Sequence, residues 1–160
     1  MSQRVLVLSV GSPKQPGMVQ SIRDYEARAG RYFALESIEV HPKKSGGKDP
    51  ARVRRDEAEA LLRRLPGDME SFALTRLGRS IDTRGLADHL KRVASYGPAA
   101  GAAFVIGGAF GLDETVVEKC RNSLSLSDLT FPHELARLVL AEQLYRIGTL
   151  LRGEPYHKGS

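Results

Sequence analysis

Short apolar runs of strand type alternate with helix-like runs along almost the whole chain, and this alternation restricts the fold more than any other feature of the sequence. Val5 to Val10 precedes a helical stretch from Val19 to Arg28, and Phe33 to Val40 precedes a charged helix from about Ala51 to Leu65. Phe72 to Leu77 reads as a strand, and Thr83 to Tyr96 as an amphipathic helix with Leu86, Leu90 and Val93 on one face. Ala102 to Ile106, closed by Gly107 and Gly108, has the pattern of a buried parallel strand ending in a turn. A short helix from Asp113 to Cys120, a strand around Leu124 to Leu126 and a closing helix from Pro132 to about Leu151 complete the order. The alternation predicts an α/β fold, a mostly parallel sheet with helices on both faces. Such sheets bind ligands at the carboxyl ends of their strands, so the loops after Leu77, Ile106 and Leu126 are where a site is expected.

A chain of 160 residues, 41% of them hydrophobic, is long enough for one domain with a sizeable core and short for two. The single cysteine, Cys120, excludes an internal disulfide, a thiolate zinc site and a dithiol redox motif. Nothing near the N-terminus resembles a signal peptide and no stretch reaches the length of a membrane span, so a cytoplasmic protein without a membrane partner is expected. The formal charge of +5 permits a polyanionic partner without requiring one. The segment 43–50, Lys-Lys-Ser-Gly-Gly-Lys-Asp-Pro, has no apolar anchor and reads as a mobile basic loop.

Three constellations bear on chemistry. In Ile106 to Asp113, Gly107, Gly108 and Gly111 follow the buried strand, where they permit positive φ and a close approach of ligand to backbone. A tight turn with no further role is the alternative, since the spacing fits neither the dinucleotide fingerprint nor the phosphate loop. In the second, Leu124 to Glu134, an apolar and small-polar loop feeds a helix with Pro132 placed in its first turn and Glu134 beside the helix dipole. The backbone from Leu126 to Phe131 suits recognition of an adenine edge. The third is the closing helix, apolar over more than one stripe, and the tail Gly153 to Lys158. Such a helix lies at the centre of the monomer or packs against a second copy.

In this order Ile-Gly-Gly, Leu-Ser-Leu-Ser, Thr-Phe-Pro-His, Glu-Gln-Leu-Tyr-Arg and Pro-Tyr-His resemble the small SPOUT-class methyltransferases that act on N3 of a pseudouridine in large-subunit ribosomal RNA. The resemblance covers essentially the whole chain and is dense from Phe104 onward. It implies a trefoil-knotted α/β fold, a homodimer, S-adenosyl-L-methionine as cofactor and large-subunit rRNA, within the assembled ribosome, as substrate. Carried over by position, the cofactor-binding residues are Leu74, Gly107, Gly108, Gly111, Leu126, Ser127, Asp128, Leu129, Thr130 and Phe131. The sequence departs from the family at Gly11-Ser12 and Gly78-Arg79, where Gly-Lys is common, and at Phe110, where a polar residue is more usual.

Methyl transfer from a sulfonium needs an in-line nucleophile and chiefly positioning. N3 must also lose a proton, which a base or a nearby cation assists. His157, Tyr156, His133 and Arg137 are the candidates, with Arg146 beside them, and the Tyr156-His157 tail is favoured because nothing in packing explains its form. For Arg137 and Arg146 the alternative is an ion pair with Glu142, in the same chain or its dimer copy. His41 and His89 are expected at a strand end and on a solvent-facing helix position. Lys43, Lys44, Lys48, Arg52, Arg54 and Arg55 could bind phosphates, or line a solvated face with pairs such as Arg55 to Glu59. Two other functions stay open: a SPOUT methyltransferase acting on another RNA such as tRNA, and a non-catalytic ribosome-associated RNA-binding module.

Overall fold

The computed structural model describes residues 2–43, 48–96 and 100–158, with the backbone alone at His157. Lys44, Ser45, Gly46 and Gly47 of the basic loop lie outside the described residues. Five strands, β1 (Arg4–Val10), β2 (Ala34–Val40), β3 (Glu70–Ser80), β4 (Ala102–Ile106) and β5 (Asn122–Ser125), form one sheet in the order β2-β1-β4-β3-β5. Every pairing is parallel. Five helices connect and follow them: α1 (Pro16–Ala29), α2 (Pro50–Arg64), α3 (Thr83–Tyr96), α4 (Glu114–Lys119) and α5 (His133–Leu151). A single 3-10 turn, Pro155–His157, ends the described chain.

The alternation of side chains along a strand divides the core into two layers. Val5 and Val7 of β1, Phe72 of β3 and Ala102, Phe104 and Ile106 of β4 face α1, α3 and α5. Leu6, Leu8 and Val10, Ala73, and Ala103 and Val105 face α2 and α4. β1 and β4 are apolar on both faces over nearly their whole length because both faces are covered, as a parallel sheet requires. α5 is central: Leu140, Leu144 and Ile147 are wholly buried within one chain. Of the two settings expected for so apolar a helix, the monomer core already accounts for most of it.

Several boundaries move. β3 runs from Glu70 to Ser80 instead of Phe72 to Leu77, because its far end returns to pair with β5. The register jumps there, Leu74 and Arg79 both facing Leu124, so residues 75–78 bulge from the ladder. Pro132 caps α5 from outside, with extended ψ, instead of standing in its first turn. α1 and α2 each begin on a proline, Pro16 and Pro50, whose fixed φ suits a helix start.

His89 is not solvent-facing. Its side chain is 12% exposed, its ring meets the edge of Phe72 at 4.9 Å, and burial holds its pKa below the ordinary value. Glu59 pairs with Arg63 and not with Arg55.

Phe104 stacks on Phe72 with ring centroids 4.9 Å apart at the middle of the sheet, both fully buried. Phe104→Ala is expected to cost about 3–5 kcal/mol of unfolding free energy and Phe104→Leu less than about 1.5 kcal/mol. Urea unfolding midpoints check this ordering.

Candidate functional site

The bulge within β3 and the carboxyl ends of β4 and β5 lie side by side, and together with the loops that leave β4 and β5 the bulge encloses a cavity of about 420 Å³. The β3 bulge contributes Leu74, Thr75, Arg76 and Leu77; the loop after β4 contributes Gly107 to Leu112; Leu126 to Phe131, apart from Asp128, close the third side. His133 and Ala136, at the start of α5, complete the lining. The rim is apolar and open, with Leu77 83%, Leu129 72% and Phe110 47% exposed. Exposed apolar side chains grouped at a cavity mouth mark a place that a ligand or partner covers.

The glycine loop is folded tightly against itself. Gly111 has φ of +80°, and its N–H donates to the Gly108 carbonyl at 3.1 Å. A Cβ on Gly107 would stand 2.7 Å from the Gly111 carbonyl carbon, so a larger residue there would push the two strands of the loop apart. Asp113 then caps α4 through the Thr115 amide at 3.0 Å. The opposing loop is fixed by its serines: Ser125 donates to the Ser127 carbonyl at 2.8 Å, and the Leu129 amide donates to the Ser127 hydroxyl at 2.9 Å. Both walls are therefore braced by contacts within the chain itself.

One turn into α5, Arg137 points away from the cavity. Its guanidinium, 8% exposed, donates to Glu26 of α1 at 2.8 Å and to Glu39 of β2. Ser12 donates to the other Glu39 oxygen at 3.1 Å, and the Lys14 amide donates to Glu134 at 2.9 Å. Burial alone would push the Glu39 carboxyl up, but the Arg137 hydrogen bond and charge and the Ser12 hydroxyl outweigh it and hold the group below its ordinary value. Of the two arginines for which an ion pair with Glu142 is expected from the sequence, Arg146 makes it, at 2.6 Å, and Arg137 does not.

Tyr156 lies elsewhere. The tail folds back along α5, the Tyr156 ring 4.4 Å from that of Tyr145 and its hydroxyl donating to Glu142 at 3.2 Å. Ala136 and the tail's contacts at Glu142 and Tyr145 are separated by about 9–13 Å of helix. Within one chain, Tyr156 therefore lines a separate cleft with Tyr145, Thr149, Glu154, Pro155 and Lys158. Burial first, then the hydrogen bond with Tyr25 and the Glu142 charge, push the Tyr156 phenol up to about 12, so at neutral pH it is a hydrogen-bond donor and not a base. The His157 side chain lies outside what the structure describes.

Of the residues singled out from sequence, Leu74, Gly107, Gly108, Gly111, Leu126, Ser127, Leu129, Thr130, Phe131 and His133 meet around one cavity. Asp128 sits in the same loop without lining it, and Arg137 and Tyr156 are engaged elsewhere. Sequence reasoning missed Glu26 and Glu39 as the anchors of Arg137, and Arg76 and Leu77 on the rim. It also missed Glu57, buried on α2. The signal for Glu57 was available: with Val53 and Leu61 it falls at helical spacing on the stripe that faces the sheet.

Residues 3–157 match the family described as "Predicted SPOUT methyltransferase". Among curated proteins the chain is 45% identical over 155 residues to the ribosomal RNA large subunit methyltransferase H of Gemmatimonas aurantiaca, covering 97% of this chain and 99% of the relative. Its counterparts of the same name in Shouchella clausii and Exiguobacterium sibiricum are 37% and 34% identical, covering 96% and 97% of this chain and 99% of each relative. The crystal structure of a "Probable Methyltransferase" from Bordetella pertussis Tohama I superposes with a TM-score of 0.60 at 22% identity, over 91% of this chain and 95% of that one. At that identity it speaks for the fold alone.

Replacing Arg137 by Met leaves Glu26 and Glu39 facing each other's helix and strand without their cation. The expected loss is about 3 kcal/mol, at the low end for a broken buried pair because both carboxylates keep some contact with water. Because the folded pKa of Glu39 is depressed, its stabilisation is complete above the ordinary carboxyl value of 4.5 and fades as pH falls below it. Melting temperatures recorded between neutral pH and pH ~3 should decline less steeply in Glu39→Gln than in the wild type.

Proposed function

The chain belongs to the SPOUT methyltransferase family, and on that premise we propose that it methylates N3 of a pseudouridine in large-subunit ribosomal RNA, with S-adenosyl-L-methionine as donor. The observation that carries this reading is the cavity built from the β3 bulge and the ends of β4 and β5, in a chain whose full-length relatives bear the name of a large-subunit rRNA methyltransferase. We read residues 1–160 as one catalytic unit with the family's trefoil knot, working in the cytoplasm.

The cavity fits the donor. Its volume, about 420 Å³, falls within the ~300–1,000 Å³ common for small-molecule sites, and its lining joins apolar surface to a few hydroxyls and exposed backbone. In this reading Leu126, Ser127, Leu129, Thr130 and Phe131 hold the adenine edge, with Asp128 in the same loop behind them, while Leu74 and the Gly107, Gly108 and Gly111 loop hold the rest of the molecule. The bound donor supplies an electrophilic methyl group on a sulfonium. The chain's own task is to align the uracil ring with that methyl and to exclude water, and the apolar rim of Leu77, Phe110 and Leu129 suits it.

His133 and Arg76 both line the cavity and can steady the charge that develops on the uracil as N3 loses its proton. Arg137 acts through position, fixing the start of α5 beside the cavity. The Tyr156-His157 tail reaches a cavity only across a two-fold dimer, since in its own chain it packs at Glu142 and Tyr145. We therefore assign those two residues to the partner's site, Tyr156 positioning the tail through its hydrogen bond to Glu142 and His157 taking or relaying the proton. No helix among the described residues is long and apolar enough to cross a membrane.

Incubation with methyl-labelled donor and intact ribosomes, naked rRNA or tRNA is expected to label large-subunit rRNA at a pseudouridine. Label confined to tRNA would refute the substrate, and no label in any RNA would refute the reaction. Tyr156→Phe and His157→Ala are expected to lower turnover at least ~10-fold while donor affinity stays within about twofold. Unchanged turnover in both would move the chemistry to His133 and Arg76.

A further inference from the structure

α2 carries one carboxylate on the stripe it turns to the sheet. Glu57 is 8% exposed, between Val53 and Leu61 at helical spacing and next to the buried Ala58. Its carboxylate lies directly beneath the glycine loop. A Cβ built on Gly108 would stand 2.4 Å from Glu57 Oε2 and 3.0 Å from both Cδ and Oε1, these being the three nearest atoms. The Gly108 amide lies close enough to this carboxylate to favour its charged form. Oε1 has no hydrogen-bond partner among the described residues.

A carboxylate buried with half its acceptor capacity unused is costly, and Leu or Ala at this position would pack against β4 without that cost. Burial pushes the Glu57 carboxyl up, the Gly108 amide opposes it and the Asp56 charge adds to it, so the loop contact is the main interaction favouring the charged form. The arrangement also gives Gly108 a reason different from that of its neighbours. Gly107 is small because the loop's own backbone crosses it, whereas Gly108 is small because Glu57 occupies the space a side chain would need.

We propose that Glu57 is the positioning residue of the methyl-donor loop: its carboxylate holds the Gly108 amide from beneath and so sets the path of the backbone that the cofactor meets on the cavity side. This rests on the cofactor reading above. Glu57 does not touch the donor; it acts through Gly108, which lines the cavity. Without it the Gly107 to Gly111 segment would have to be ordered at the moment of binding, and affinity would fall by that ordering cost.

Calorimetric titration of S-adenosylhomocysteine into the wild type and variants, each with its thermal melt, tests the role apart from turnover. Glu57→Ala is expected to weaken binding about tenfold or more. Glu57→Gln, whose amide oxygen still accepts from Gly108, should stay within about threefold of wild type. Gly108→Ala should weaken binding strongly in the wild type and much less in the Glu57→Ala background, because the obstructing carboxylate is then gone. If Glu57→Ala lacks a cooperative melt, Glu57→Asp decides, since it keeps the charge but withdraws the oxygens by one methylene, and a loss of about fivefold or more is expected. Unchanged affinity in the folded variant that decides, or an equal loss in Glu57→Gln and Glu57→Ala, overturns the proposal. Absence of binding by the wild type itself overturns the cofactor reading, and this inference with it.

Discussion

All five strands run the same way, and the site follows from that constraint. Parallel strands need crossovers long enough to hold helices, and those helices must cover both faces, so the inner strands β1 and β4 are buried almost throughout and the polar chemistry lies at their ends. Because β3, β4 and β5 are neighbours in the sheet, the β3 bulge and the loops after β4 and β5, distant in sequence, lie together. The cavity proposed for the methyl donor is the space between them. Its position is thus a property of topology, and only its lining is a property of individual residues.

The lining is held by contacts within its loops and behind them. Ser127 fixes one wall through the Leu129 amide, the Gly111 turn fixes another, and Glu57 supports that turn from the far side. Arg137 ties the first turns of α5 to α1 and β2, which sets where His133 and Ala136 meet the cavity. The tail is anchored by a different cluster, in which Tyr145 packs on Tyr25, Tyr32 and Tyr156 while Arg146 lies over the Tyr156 ring. One helix, α5, therefore carries both groups: its first turns line the cavity of its own chain, and its later turns hold the tail.

Much of this was legible in the sequence. The strand and helix order followed from hydrophobic periodicity, which is strong because nearly every strand residue of β1 and β4 is buried. The cavity loops followed from the strand ends and from the run of glycines. The extension of β3 was not legible, because Thr75 to Gly78 bulge out and the pairing resumes only at Arg79, so periodicity breaks where the strand does not end. The inward turn of His89 was hidden because its polarity suggested solvent, whereas the ring packs at a steep angle against Phe72 with Nε2 3.8 Å from Glu70. The partners of Arg137 were hidden because Glu26 and Glu39 are 111 and 98 residues away in sequence, and helical spacing finds only neighbours such as Glu142. The separation of Tyr156 from its own chain's cavity was equally out of reach, being set by how the tail folds back along α5.

The central claim is that the methyl donor binds between the β3 bulge and the ends of β4 and β5 on prearranged backbone. Amide hydrogen exchange with and without S-adenosylhomocysteine addresses it most directly, residue by residue and without an RNA substrate. The account predicts new protection confined to residues 74–77, 106–112 and 126–133, with the amides along α3 unchanged. Protection centred instead on the cleft of Tyr145, Thr149 and Pro155, or absent from all three loops at saturating ligand, would contradict it.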